Sequence, residues 1–278
     1  MVDPEFDAFC QSLGTNCTGA MRVFGVRRSG QHAVIDWILR NCGTDDRMFL
    51  NNRRIGQTPL RAGKLAEKKP DSTKNAEALR RQLARRIARG QRPFLLISYE
   101  HGYAAPHYKA GDISPGFSNS DFDREVIITR RFVNWLPSYI RLAQGKKPRD
   151  SLDASQAILR GIGAYKAHLI AANNSPHTHI SYDDWVADPG YRRQKLKALG
   201  LPEQDNSLGQ MQPYGGGSSF SGSDMAPHSL AATERWKTLA EDSFAAQFLA
   251  IAEADAELQE ALASFYPDDI NIIRQLLA

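Results

Sequence analysis

Three separated segments of this 278-residue chain carry residue types that hold anions. The first is VFGVRRSGQHAVIDWIL, residues 23–39, where Arg27, Arg28, Ser29, Gly30, Gln31 and His32 lie between an apolar run and an apolar pattern of helical spacing. A strand that feeds a helix through a small-residue turn presents backbone N–H groups at the helix N-terminus, where phosphate binds. The triphosphate-loop signature GxxxxGK[ST] is absent, which disfavours a nucleoside triphosphatase. Alone, the segment reads equally well as an ordinary turn with solvated arginines. The second segment, TRRFVNWLPS, has Arg130 at the end of an apolar run and Ser138 eight residues later, inside the next helical pattern. A helix entered within two residues would turn Ser138 back toward Arg130, so that guanidinium and hydroxyl clamp one anion. The third is Tyr214 to Phe220, YGGGSSF, followed by Arg235-Trp236. Gly216 and Gly217 let backbone approach a ligand closely, Ser218 and Ser219 add donors, and Phe220 offers a stacking face. A flexible linker has the same composition.

The elements that must position these residues follow from hydrophobic pattern. Residues 21–26, 48–50, 94–98, 126–129 and 178–181 read as strands, and the unbroken apolar runs among them fit strands buried on both faces of a parallel sheet. Helical spacing covers about 31–42, 76–90, 132–144, 152–173, a stretch ending near Gly200, and the chain from Leu230 onward. Residues 51–74 are basic and interrupted by Gly and Pro, and read as a long loop or lid. Strands alternating with helices predict an α/β fold, a parallel β-sheet flanked by helices with a helical C-terminus.

Composition bounds the function classes. The 42% hydrophobic and 24% charged residues are those of an ordinary globular protein and exclude disorder, collagen-like repeats and a bundle of membrane spans. The N-terminus MVDPEFDAFC lacks the basic and apolar regions of a signal peptide, so a cytoplasmic location is expected. The net charge of +4 averages 13 Lys/Arg against 3 Asp/Glu over residues 51–92 with 2 against 8 over residues 237–278. The basic stretch includes an arginine-rich helical pattern, residues 76–90, which admits a nucleic-acid reading. No aromatic interleaving accompanies it, and a solvated helix face or attraction of an anionic acceptor fits better. Cys10, Cys17 and Cys42 form no CxxC or zinc-spaced cluster, and His177 and His179 lack a third ligand nearby, so no metal is predicted.

Taken together and in order, the three segments resemble those of sulfotransferases that use 3′-phosphoadenosine-5′-phosphosulfate (PAPS), over about residues 21–240. Arg28-Ser29-Gly30-Gln31-His32 is similar to the family's 5′-phosphosulfate loop, Lys/Arg-Ser-Gly-Thr-Thr. Arg130 and Ser138 match its 3′-phosphate motif, and GGGSSF with Arg235-Trp236 resembles the late glycine loop over the nucleotide. Residues 180–185 and 191–201 resemble its later strand-helix passage. The chain departs from the family at Gln31 and His32, which replace hydroxyl residues. Ala33 stands where many members have an adenine-stacking Trp, and Arg131-Phe132 replaces Asp/Asn-Pro.

The resemblance implies a P-loop NTPase-like sulfotransferase fold, with residues 1–20 an N-terminal extension and 21–278 a single domain. It implies PAPS as donor, PAP as product, no metal, and a small-molecule or glycan acceptor. The cofactor-binding residues would be Arg27, Arg28, Ser29, Gly30, Gln31, His32, Arg130, Ser138, Gly216, Gly217, Ser218, Ser219, Phe220 and Arg235. Arg28 would stabilise charge on the leaving oxygen. The base would lie at the end of the strand before Arg130, where Glu100 and His101 are neighbours and point to opposite faces. A P-loop kinase or related phosphotransferase is the alternative.

Overall fold

The structure is a computed structural model and describes residues 18–59, 64–65, 85–86, 88–100, 113–145, 151–210 and 232–278. Its strands are β1 (Gly19–Gly25), β2 (Arg47–Arg53), β3 (Lys64–Leu65), β4 (Phe94–Tyr99), β5 (Arg124–Thr129) and β6 (Thr178–Ser181). The helices are α1 (Gln31–Arg40), α2 (Phe132–Gln144), α3 (Ser151–Asn173), α4 (Tyr182–Ala187), α5 (Pro189–Ala198), α6 (Ser243–Ala254), α7 (Ala256–Phe265) and α8 (Pro267–Leu277). The sheet order is β3-β2-β4-β1-β5-β6. Five strands run parallel, and the two-residue β3 pairs antiparallel on the edge.

Alternation along β1 divides the apolar residues between two layers. Met21 and Val23 face Val34, Ile35, Trp37 and Ile38 of α1, joined by Trp185 and Leu196 of α4 and α5. Ala20 and Phe24 face Ile113, Phe117 and Phe122, with Ala172 of α3. Burying each such large side chain contributes about 2 kcal/mol. A third cluster joins Val26 to α2, α3 and the C-terminal helices α6–α8. Within the second layer, the buried Arg22 of β1 pairs with Glu125, donates to Asn119 Oδ1 at 2.9 Å and lies over the Phe122 ring. Through Asn119 and the Phe122 ring, Arg22 ties residues 113–122 to the sheet.

Several boundaries differ from the pattern-based reading. β1 starts at Gly19, inside the segment assigned to an N-terminal extension. β2 runs on to Arg53, three residues into the expected loop. The helix expected to end near Gly200 is two, because Asp188 accepts from Gly190 N and caps a new helix that begins with Pro189. The C-terminal stretch is a 3₁₀ turn, Arg235–Leu239, followed by α6, α7 and α8, with Asp242 and Asp255 capping α6 and α7. Of the arginine-rich stretch 76–90 only residues 85, 86 and 88–90 are described, with Arg86 3.5 Å from Asp46. No helix among the described residues is long and apolar enough to cross a membrane.

Candidate functional site

Parallel register brings the candidate residues to one edge. Phe24 of β1 lies opposite Tyr99 of β4, Gly25 opposite Ile128 of β5, and Thr129 opposite Ser181 of β6. The residues that follow these strands, Val26–Gly30, Glu100, Arg130–Arg131 and Tyr182–Asp183, therefore emerge together at the carboxyl edge. The chain leaves β1 toward β2 on one side and β5 toward β6 on the other. A crevice opens at such a switch point, and α/β proteins bind ligands there.

The turn after β1 is tight. Ser29 N donates to Val26 O at 3.1 Å, and both Arg28 (φ 71°) and Gly30 (φ 83°) are left-handed. Gly30 caps α1 with no side-chain hydrogen bond, so the N-terminal N–H groups of Gln31 and His32 receive no side-chain cap. Beneath the turn, Ser29 Oγ and both amide atoms of Gln31 are buried without a hydrogen-bond partner among the described residues. They fit there because Gly25 has no side chain. A Cβ at Gly25 would lie 2.5 Å from Gln31 Oε1 and 2.9 Å from Ser29 Oγ.

Other elements pin the carbonyl side of the turn. Trp135 Nε1 on α2 donates to Arg27 O at 2.8 Å, and Arg130 Nη1 donates to Arg28 O at 3.1 Å. The Arg130 guanidinium is buried, lies 5.1 Å from the Tyr182 ring centre, and gives Nη2 to Ala232 O at 2.8 Å. Its Nε has no partner among the described residues. Ser138 Oγ accepts from Arg235 Nη1 at 2.5 Å instead of from Arg130. Arg235, which also feels the charge of Arg130, thereby takes the hydroxyl expected to join Arg130, a contact that spacing within one helix does not reveal.

The electrostatics follow from burial. Desolvation, then the charge of Arg130, lowers the pKa of Arg28. Desolvation, then Arg130 and to a lesser extent Arg28, pushes Arg235 down to about 9. Buried cations that repel one another favour an anion among them. Two carboxylates balance part of the charge. Asp183, its pKa raised by burial against the pull of Arg130, accepts from Arg131 N and Asn134 Nδ2, each at 2.8 Å. Glu100 lies 4.0 Å from Arg27 Nε and 3.4 Å from His32 Nε2. The side chain of Arg131, where the resemblance calls for Asp/Asn-Pro, turns away to Asp269 Oδ1 of α8 at 2.6 Å.

The crevice thus gathers Arg27, Arg28, Ser29, Gly30, Gln31, His32, Glu100, Arg130, Ser138 and Arg235. His101 and Gly216–Phe220 lie outside the described residues. Asn51, whose Oδ1 lies 3.0 Å from His32 Nε2, and Trp135 join the site without a sequence signal that separates them from other core residues. Tyr182 and Asp183 join it from the 180–185 segment, where nothing in the sequence singles either out. His177 and His179 serve elsewhere, on Glu125 at 2.6 Å and on Thr129 Oγ1 at 2.6 Å. No group of three His, Cys, Asp or Glu among the described residues is arranged to hold a metal. Comparison with protein-family models, with curated proteins and with solved structures finds no match.

Proposed function

We propose that this chain is a PAPS-dependent sulfotransferase that moves a sulfuryl group to a hydroxyl or amine of an acceptor. The observation that carries the reading is the meeting of Arg28, Arg130 and Arg235 around the uncapped α1 N-terminus, beside two buried polar side chains, Ser29 and Gln31, that face no partner. The turn with Arg28 forms one anion subsite, and Arg130, Arg235 and Ser138 form a second. A nucleotide with separate 5′ and 3′ anionic groups fits two adjoining subsites better than a single phosphate does. The donor, when bound, supplies an activated S–O bond.

Chemistry then needs little beyond orientation and charge. The acceptor atom attacks sulfur, the S–O bond to the 5′-phosphate breaks, and Arg28 stabilises the charge that develops on the leaving oxygen. The acceptor's proton passes to a base at the end of β4, Glu100 or its sequence neighbour His101. Glu100 is favoured by its closeness to Arg27, Arg28 and His32.

Calorimetric titration with PAP tests the reading. The wild-type chain is expected to bind it, and Arg28→Ala and Arg130→Ala each to weaken binding by about 10- to 100-fold, the worth of a charge-assisted contact. Equal affinity in all three proteins overturns the site. Binding of ADP with Mg²⁺ in preference to PAP replaces the reading with a phosphotransferase.

A further inference from the structure

The ring of His32 lies in a chain of hydrogen bonds that the phosphosulfate loop does not need. It begins at an irregularity in β2, where the register with β4 shifts between Leu50 and Arg53 and Asn52 takes a left-handed backbone, φ 50°. Such bulges re-aim side chains. Asn52 N leaves the ladder and donates to Ser98 Oγ at 3.0 Å, and Ser98 Oγ donates to Asn51 Oδ1 at 3.2 Å. His32 Nε2 lies 3.0 Å from the same Asn51 Oδ1 and 3.4 Å from Glu100 Oε1. Ser98 and Asn51 are buried, and the side chains of His32 and Glu100 are 19% and 15% exposed.

The carboxylate decides which ring nitrogen carries a proton. A lone pair on Nε2 would face the Glu100 carboxylate and repel it, whereas an N–H attracts it. With Nε2–H fixed, Asn51 must present its oxygen to His32, the orientation that also accepts from Ser98. Every member of the chain then agrees.

We infer that His32 is a positioning residue for Glu100: its Nε2–H, shared between Asn51 Oδ1 at 3.0 Å and Glu100 Oε1 at 3.4 Å, restrains the Oε1 side of the carboxylate and leaves Oε2 to take the acceptor's proton. His32 is also the second residue of α1, so the helix that faces the transferred group orients the base. The role presupposes the sulfotransferase reading, since Glu100 has an acceptor proton to take only in that reaction.

The test uses the full chain, with PAP as binding probe and PAPS turnover to water, followed as PAP release, as the reaction. Ring-nitrogen NMR of histidine-labelled protein, assigned with His32→Gln, is expected to find a proton on Nε2 whose signal moves in Glu100→Gln. His32→Ala is expected to lower turnover by about 10- to 100-fold, the cost of a misplaced reacting group, with PAP affinity changed less than about threefold. His32→Gln, whose amide N–H reaches the same way, recovers most of the loss. His32→Ala added to Glu100→Gln costs nothing further. With PAP still bound by wild type, a proton on Nδ1 alone, undiminished turnover in His32→Ala, or a parallel fall in PAP affinity each overturns the inference and leaves the sulfotransferase reading standing. Failure of the wild-type chain to bind PAP overturns both.

Discussion

At the scale of single residues, the turn after β1 holds its shape at a cost. The left-handed backbone of Arg28 costs an L-residue about 1–2 kcal/mol, and it occurs where the chain must turn sharply from strand to helix beside three arginines. Gly30 carries the second left-handed position, and two constraints coincide there. Its φ of 83° suits glycine, and a Cβ would run into the ring of Tyr182 well inside van der Waals contact. Tyr182 is itself held by the first turn of α4 and by packing near Trp185. Gly30→Ala is therefore expected to lower stability by about 2–4 kcal/mol, backbone strain and overpacking together. The midpoint of urea unfolding reads this directly, and a midpoint equal to wild type would contradict the tight contact.

At the scale of elements, α2 determines where the turn sits. Phe132, Trp135, Tyr139 and Tyr165 form a contiguous aromatic cluster, with Trp135 4.7 Å from Tyr165 and 4.8 Å from Tyr139 between ring centres. That packing fixes the indole so that its N–H reaches Arg27 O. The helix start is fixed from the C-terminal side, where Asp269 of α8 takes the Arg131 side chain and accepts from Val133 N at 3.3 Å. Trp135→Phe keeps the ring packing in large part and removes one donor from a part-buried carbonyl. The expected cost is about 1–3 kcal/mol in stability, with a weaker PAP affinity because Arg27 O is no longer restrained. Thermal unfolding and the PAP titration check the two halves separately.

At the scale of the whole molecule, buried ionisable groups behind the sheet edge make stability depend on pH. His168, bonded to Ile128 O, and His179, bonded to Thr129, are both driven down to about 4 by burial. They stay neutral in the folded chain while the unfolded chain takes up their protons below about 6.5. Their contribution is present above that pH and is lost as pH falls toward 4. Asp269 acts in the opposite sense. Burial outweighs its pairing with Arg131 and raises it to about 6, so its contribution declines as pH rises from about 4 to 6. Asp183, likewise raised by burial, acts in the same sense as Asp269. The two carboxylates therefore offset much of the proton uptake of the two histidines, and only a small residual fall in stability is expected between pH 6.5 and 4. Denaturant unfolding across that range measures the slope. His179→Gln should flatten it, and Asp269→Asn should steepen it.

Pattern alone determined the element types and the α/β class, because the apolar runs at 94–98 and 126–129 and the 3.6-residue spacing of 132–144 and 152–173 are local properties. It also picked out Arg28 and Arg130, since arginine next to a strand end carries a chemical signal of its own, while Ser138 follows from its eight-residue spacing from Arg130 and Arg235 from its place after the glycine-rich segment and the family resemblance. It missed the Asp188 break between α4 and α5, where capping competes with a continuous helical pattern. It could not find Asn51, whose direction depends on a bulge, or Trp135 and Asp183, whose polar atoms act across roughly fifty to a hundred residues of chain. Only parallel register brings the ends of β1, β4, β5 and β6 to one level, and only packing of α8 turns Arg131 away from the crevice. The chain therefore encodes its candidate anion-holding groups largely through local chemistry. Which of them meet one another is decided by the tertiary structure, because desolvation and hydrogen-bond partners exist only once distant segments close around the same edge.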